Sequence, residues 1–414
     1  METGNLKEYS FDIGPMGPPS EHGSLMLRAN RNCPWNRCLF CTSYKGQKPS
    51  YRGIDEIRRD VDIVKLLKDE IEMACLEFSQ AGDVHDRSAV AEAVGAMVRG
   101  NPEIYRRNSA GDVANDARLR SLFDVAEWVI NGGKTVFLQD ADPLTLEQTE
   151  LVDALRYLKR TFPTVERITA YARSTTCNRK TVEDLKELHN AGLSRLHVGL
   201  ESGCDEVLDF VKKGVTAEEQ VQGGRKVIDS GISLCDYVMP GLGGKKWSER
   251  HALETARVVS EINPEFIRIR SLAVVANSGL HKKWKAGEFE PLTEDEMVDE
   301  LRLFVESLDC NSRIVSDQLT NILPEVEGQL PREKERIIGV IDSYRDMATM
   351  DRLRFRLTRY LQGGYYDCVR SWGKLDSQLE QYIEEAKESI DRESPDAQAR
   401  VDRAIVCLKE KGIP

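Results

Sequence analysis

From residue 24 onward, short apolar runs alternate with longer segments whose apolar residues recur every three to four positions. That alternation is the pattern of a parallel sheet joined by crossover helices. Six runs read as strands: Ser24–Ala29, Thr135–Leu138, Arg167–Ala172, Arg195–Leu200, Ser233–Met239 and Phe266–Ser271. Arg313–Ser316 is a seventh candidate. Between them, Thr145–Thr161 and Thr181–Ala191 have amphipathic helical periodicity, and the second stops at Gly192, where a helix commonly ends.

Two stretches depart from strict alternation. The interval between the first and second strands is far longer than one crossover needs; it holds Tyr51–Ser79 and then a polar, helix-like insertion, Val84–Asn131. From Pro331 to Pro414 the chain is charged and helical in pattern, without a strand signal. The expected organisation is therefore an N-terminal segment (1–23), an α/β core (24–330) interrupted by the insertion at about 84–131, and a helical C-terminal extension (331–414).

Composition adds limits. The 414 residues carry 58 Lys+Arg against 69 Asp+Glu, a net charge of −11. That balance disfavours a protein living on nucleic acid, which usually has a basic surplus. No stretch reaches the ~18–20 apolar residues that span a bilayer, and Met1–Gly14 lacks the apolar core of a signal peptide. A cytoplasmic location is expected. Seven of the ten cysteines (Cys75, Cys177, Cys204, Cys235, Cys310, Cys368, Cys407) are scattered singly, as small buried hydrophobes usually are. The other three crowd into nine residues.

Those three lie in Arg31-Asn32-Cys33-Pro34-Trp35-Asn36-Arg37-Cys38-Leu39-Phe40-Cys41, directly after the first strand. Three thiolates on one short loop suit three corners of a cubane iron–sulfur cluster and leave the fourth iron open. The competing reading is zinc, which takes four Cys or His ligands, usually in close pairs. No fourth cysteine or histidine stands near enough in sequence to complete a local knuckle.

The loop resembles the radical S-adenosylmethionine (SAM) superfamily, whose common form is CxxxCxxC with an aromatic residue before the last cysteine. Here Phe40 is that aromatic, and the first spacing is four residues instead of three. The resemblance, of the coproporphyrinogen-oxidase-like kind, covers roughly Ser24 to Asn321. It implies a partial (β/α)6-type barrel with its site at the carboxyl ends of the strands. It further implies a [4Fe–4S] cluster on Cys33, Cys38 and Cys41, with SAM on the open iron and Phe40 near the adenine.

Each strand end then offers a candidate SAM contact. Asp140 and Asp142 follow the second strand, where the family has a Gly-Gly-Glu-like turn for the SAM amino group; the glycines are absent here, and an acidic turn capping a helix near Thr145 is the plainer reading. Arg173 ends the third strand and suits the SAM carboxylate or simply the surface. His197-Val198-Gly199-Leu200-Glu201-Ser202 ends the fourth and is similar to the family's ribose-binding turn, with Glu201 and Ser202 as the contacts and His197 a packed barrel residue. Gly241 lies in the glycine-rich turn after the fifth strand, against which adenine rests in the family. Arg270 ends the sixth strand and reads as a SAM or substrate contact. Asp317 and Asn321, four apart, would share a face of one helical turn and contact substrate; the plainer alternative is a helix cap by Ser316 or Asp317.

The activity implied is one-electron reductive cleavage of SAM to a 5′-deoxyadenosyl radical, which abstracts hydrogen from an unidentified substrate. The reaction needs an electron donor such as flavodoxin or ferredoxin. A cobalamin-independent radical SAM methyltransferase is the second enzyme class; no Asp-x-His-x-x-Gly cobalamin signature is present. A non-enzymatic iron–sulfur or SAM-binding protein would explain the cysteines but not a polar constellation at every strand end.

Overall fold

The computed structural model describes residues 9–15, 17–79, 82–105 and 113–412. Residues 1–8, part of the N-terminal segment, and 106–112, within the insertion, lie outside the described residues. Among the described residues ten strands form: β1 (Leu25–Arg28), β2 (Asn30–Arg31), β3 (Ser50–Tyr51), β4 (Thr135–Gln139), β5 (Arg167–Ala172), β6 (Leu193–Glu201), β7 (Ser233–Val238), β8 (Phe266–Ile269), β9 (Arg313–Val315) and β10 (Gly328–Gln329). Eight of them make one sheet in the order β1-β4-β5-β6-β7-β8-β9-β10, and β2 pairs with β3 in a separate short ribbon.

Every neighbour in the sheet is parallel as far as β9, and β10 folds back antiparallel on β9. The fold is α/β, with the strands of the main sheet running in chain order. Strands covered on both faces must be apolar throughout. Val136, Phe137, Ile168, Ala170, Leu196, Leu234 and Ile267 accordingly have at most 1% of their surface exposed. The predicted strands match these elements to within a residue or two at most ends; β2, β3 and β10 are two residues each, too short to carry a period.

Helices close the outer face. Val182–Ala191 is set by a capping box between Thr181 and Asp184 and terminates at Gly192, whose φ of 121° suits glycine alone. The long first crossover is a helix over Ile54–Phe78 followed by helices Arg87–Gly100 and Val113–Ile130, which pack on it and on each other. The C-terminal stretch is helical as predicted, with five helices from Lys334 to Lys411. It docks through buried ionic contacts: Lys409 pairs with Glu294, and Glu294 also accepts the Tyr360 hydroxyl at 2.9 Å. Fully buried Arg356 lies between Asp402 (3.2 Å) and Asp295 (3.8 Å). Among the described residues no helix is long and apolar enough to cross a membrane.

Candidate active site

The carboxyl ends of β5 to β8 and the cysteine loop enclose a pocket of about 180 Å³. Cys33, Cys38, Phe40 and Cys41 line one wall. Tyr171, Arg173, Gly199, Glu201, Lys213, Tyr237 and Arg270 line it as well, with Ser43, Tyr44, Ala141 and Ala172. Seven of the thirteen residues singled out in the sequence thus meet in one cavity.

The loop is held open by its own polar groups. Asn32 and Asn36 adopt positive φ (68° and 49°), a conformation asparagine tolerates better than most residues. The Asn36 backbone N–H points at Cys33 Sγ at 3.3 Å, and its side-chain amide donates to the Tyr44 and Gln47 carbonyls across the loop. Leu39 N–H donates to Val211 O (2.9 Å) and Leu39 O accepts Leu280 N–H (2.8 Å), so the segment bearing Cys38 and Cys41 is pinned on both sides. Trp35 donates to Lys212 O at 2.8 Å and lies between the Arg37 and Arg173 guanidinium groups, each 4.9 Å from its ring centre. A Cβ at Gly214 would collide with that ring, so glycine is required there.

Asp140 fastens both ends of the loop to β4. Its buried carboxylate accepts Arg28 Nε, the Tyr44 hydroxyl (2.7 Å) and the Asn32 backbone N–H (3.3 Å). Asn32 immediately precedes Cys33, and Tyr44 follows Cys41 by three residues. Burial, then the charge of Asp140, raises the Tyr44 hydroxyl far above its ordinary value, so it stays protonated and donates. Three donors already occupy the carboxylate expected at the SAM amino group, and Asp140 is not among the residues lining the pocket, although its neighbour Ala141 is.

Glu201 enters the cavity through a register shift in β6 between Gly199 and Glu201, where its own φ is 65°. Such irregularities re-aim a side chain at the end of a strand. Its carboxylate pairs with Lys213 Nζ at 3.0 Å, both side chains nearly buried. A Cβ on Gly199 would collide with Glu201 Oε1 and approach Lys213 Nζ to 2.9 Å, so the pair lies directly on that glycine. Lys213 also stands 5.8 Å over the Phe40 ring. Arg173 donates to Lys213 O at 2.8 Å. Arg270 is half-buried and, among the described residues, in no ion pair. Burial raises the Cys38 thiol above its ordinary pKa, opposed by the positive charges of Lys213 and Arg173.

Below the opening, Phe137, Tyr171, His197 and Tyr237 form an aromatic floor with ring centres 4.8–6.1 Å apart. His197 packs in the barrel, 3.5 Å from Glu21. The fully buried Asp236 carboxyl is raised to about 8 by burial and by the charge of Glu201.

The remaining candidates sit around the cavity. Asp142 is fully buried and accepts Thr176 Oγ1 at 2.5 Å; burial raises it to about 7. Its side chain caps no helix: a single 3-10 turn occupies Pro143–Thr145, and the α-helix expected from Thr145 begins at Gln148. The Ser202 hydroxyl bonds His251 Nδ1 at 2.8 Å. His251 Nε2 lies 3.0 Å from the Met239 carbonyl, which only accepts, so Nδ1 is the acceptor and Ser202 donates. Gly241 donates its N–H to buried Glu300 at 2.6 Å, which fixes the turn after β7. Both carboxylate oxygens of Asp317 accept from Arg268 Nη1, at 2.6 and 2.8 Å. Residues 316–323 are not helical, so Asp317 and Asn321 share no helical face and neither Ser316 nor Asp317 caps a helix. The Asn321 amide instead closes the end of β8, accepting Ser271 N–H and donating to Ile269 O, both at 2.8 Å.

Sequence reasoning missed Lys213, Tyr44 and Trp35. Their signals were present but unremarkable: a lysine before Gly214, an aromatic between the first two cysteines and another three residues after the last.

The donor set fits the group implied by the sequence. Three thiols share one wall, cations face them, and no fourth cysteine or histidine lines the cavity among the described residues. Residues 102–256 match the radical SAM superfamily family model, a span that begins after the cysteine loop. A tRNA uridine(34) acetyltransferase of Methanocaldococcus jannaschii is 25% identical over 124 residues, covering 30% of this chain and 22% of that protein. Elongator complex protein 3 of Mus musculus is 22% identical over 278 residues, 64% of this chain and 44% of the relative. The chain thus spans less than half the length of these relatives. Among solved structures, Methanocaldococcus infernus Elp3 aligns over 60% of each chain at 16% identity and a TM-score of 0.40. Coproporphyrinogen III oxidase (HemN) of Escherichia coli aligns over 42% of this chain and 39% of its own at 16% identity and 0.35. Residues 102–256 thus carry a radical SAM superfamily domain, the domain of enzymes whose cofactors are a [4Fe–4S] cluster and S-adenosylmethionine.

Proposed function

We propose that Cys33, Cys38 and Cys41 hold the cluster and that the enzyme cleaves SAM reductively to a 5′-deoxyadenosyl radical that takes hydrogen from a substrate. The convergence of the three cysteines with Glu201, Lys213, Arg173 and Arg270 on one cavity supports this reading most strongly. The bound cluster and SAM supply the radical chemistry. The protein's residues orient and shield it. Phe40 offers an apolar face for the adenine, and Glu201 an acceptor for the ribose hydroxyls. Arg173 and Arg270 are the cations available to carboxylates, with Arg173 nearer the cysteine loop through Trp35. The aromatic floor closes the barrel to water beneath the reacting groups.

Dithionite-reduced, anaerobically reconstituted enzyme is expected to release 5′-deoxyadenosine and methionine from SAM, slowly without substrate. Two relatives are named for tRNA uridine(34), so tRNA belongs in the substrate screen beside small metabolites. Deuterium passing from a labelled substrate into 5′-deoxyadenosine identifies the hydrogen donor. A methylated product and S-adenosylhomocysteine appearing together with 5′-deoxyadenosine would favour the methyltransferase class instead.

A further inference from the structure

Two arginines stand at the end of β8 on the same face, because side chains two apart on a strand point the same way. The inner one, Arg268, is 5% exposed and is neutralised by both oxygens of Asp317, at 2.6 and 2.8 Å. The outer one, Arg270, extends the ladder through its backbone N–H to Val238 O at 3.0 Å and lines the pocket with its side chain. It is half-buried, yet among the described residues its guanidinium makes no ion pair and no hydrogen bond. Two phenols nearby also lack partners. The Tyr237 hydroxyl is buried without a hydrogen bond, and among the described residues the Tyr171 hydroxyl has none either. Burial lifts both well above the ordinary phenol value, so both stay protonated and donate. For Tyr171 the charge of Arg270 is the largest opposing influence, which sets that guanidinium close to the hydroxyl.

The other charges of the cavity are engaged. Lys213 holds Glu201, the one carboxylate among the described lining residues, and Arg173 stands against Trp35 of the cysteine loop. Arg270 lies two strands from Glu201, roughly 10 Å across the sheet at ~4.8 Å per strand. A SAM molecule seated on the cysteine loop, Glu201 and Arg173 therefore leaves Arg270 on the far side of the cavity with its charge unmet.

We propose that Arg270, with the hydroxyls of Tyr171 and Tyr237, is the receptor for an anionic group of the substrate, a carboxylate or phosphate monoester carried on a small, flat organic molecule. The proposal rests on the radical SAM reading above and adds a substrate class to it. A guanidinium presents a planar fork of donors that matches a carboxylate or phosphate, and hydrogen bonds to a charged group are the strong ones. The two phenols add further donors and a flat surface: Tyr171 and Tyr237 line the cavity, and Phe137 and His197 pack against them. All three receptor groups stand inside the barrel mouth, where a single anionic group reaches. A chain of net charge −11 offers a polyanion little long-range attraction, so a small anion suits the site better than a nucleic-acid strand.

The test uses the full-length, anaerobically reconstituted enzyme, unreduced and saturated with SAM. Benzoate, phenyl phosphate and benzyl alcohol are the probes, and titration calorimetry is the readout. At least one of the two anions should bind about tenfold more tightly than the alcohol, and the tighter anion names the group. Arg270→Gln should abolish that preference and Arg270→Lys should restore part of it. Tyr171→Phe keeps the ring and should weaken the anion about threefold while leaving the alcohol alone. Should Arg270→Gln fail to fold, Tyr171→Phe decides by the same comparison. A wild type with no preference for either anion overturns the proposal, and so does a preference that survives Arg270→Gln. A loss of SAM affinity as large as the loss of anion affinity would give Arg270 to the SAM carboxylate and overturn it too. Equally contrary is a tRNA mixture whose binding weakens in Arg270→Gln while both aryl anions go unbound, which would give the group to a nucleic-acid phosphate. Wild-type protein that cleaves no SAM once reduced would defeat the radical SAM reading itself, a result distinct from a missing anion preference.

Discussion

Replacing Asp140 by alanine should loosen the cysteine loop before it touches any SAM contact. The wild-type carboxylate, with no exposed side-chain surface, accepts Arg28, Tyr44 and the Asn32 N–H. Removing one partner of a buried ion pair costs ~3–5 kcal/mol because the other charge is stranded. Arg28 keeps Asp12 at 3.2 Å, which puts the expected loss near the lower end, about 3 kcal/mol. Asp140→Asn preserves an acceptor for Tyr44 and should lose about 1.5–3 kcal/mol, the worth of a charge-assisted hydrogen bond. Hydrogen exchange followed by mass spectrometry on anaerobically purified protein reads the effect locally. Peptides spanning 32–49 should exchange faster in both variants, while peptides of β5 to β7 stay protected, and iron retention should fall in the order wild type, Asn, Ala. Unchanged exchange in the loop together with a weakened SAM affinity would refute the clamp and return Asp140 to the SAM amino group.

Other consequences follow from the same geometry. Lys213→Ala strands Glu201 and should cost about 3–5 kcal/mol in urea unfolding. The double variant Glu201→Gln/Lys213→Met should recover most of that loss, and a double as unstable as the single would show the two groups are not coupled. Glu201→Gln alone should weaken SAM binding about tenfold, consistent with the loss of a charged hydrogen bond; equal affinity would mean that the ribose lies elsewhere. Asp236 has an ordinary pKa of 3.8 and a folded one of about 8, so between these values the folded state holds a proton that the unfolded state has released. Its contribution to stability therefore falls as pH rises through that window and levels off above it. Asp236→Asn should flatten the decline in urea midpoint from pH 5 to pH 8, and an unaltered slope would count against the buried, protonated carboxyl. Glu294→Ala leaves buried Lys409 without its acceptor and Tyr360 with only the Thr320 carbonyl at 3.1 Å, so limited proteolysis should release the C-terminal helices from the core; an intact digestion pattern would show that other contacts hold them.

Much of the core was legible because a doubly covered parallel sheet writes itself as apolar runs, and because three cysteines in nine residues have few uses. The strands from β4 to β8 and the stop at Gly192 followed from local pattern alone. The pocket's partners were not local. Lys213 reaches Glu201 only because the 211–214 turn folds under Trp35, and nothing in Lys212-Lys213-Gly214 announces that contact. The acidic turn Asp140-Ala141-Asp142 was visible as chemistry, yet its two carboxylates point to Arg28, Tyr44 and Thr176, which are far away in sequence. Asp317 and Asn321 were paired by assuming a helix. The end of β8 draws the Asn321 amide into its own backbone gap instead, and Arg268 takes Asp317.

The central claim is tested most directly by iron and sulfide analysis with electron paramagnetic resonance of the reduced protein, with and without SAM. The account predicts about four irons and four sulfides per chain, a reduced-cluster signal that changes when SAM is added, and loss of both in Cys33→Ala, Cys38→Ala and Cys41→Ala but not in Cys75→Ala. Stoichiometric zinc in active protein, or a cluster that survives removal of any of the three cysteines, would contradict it.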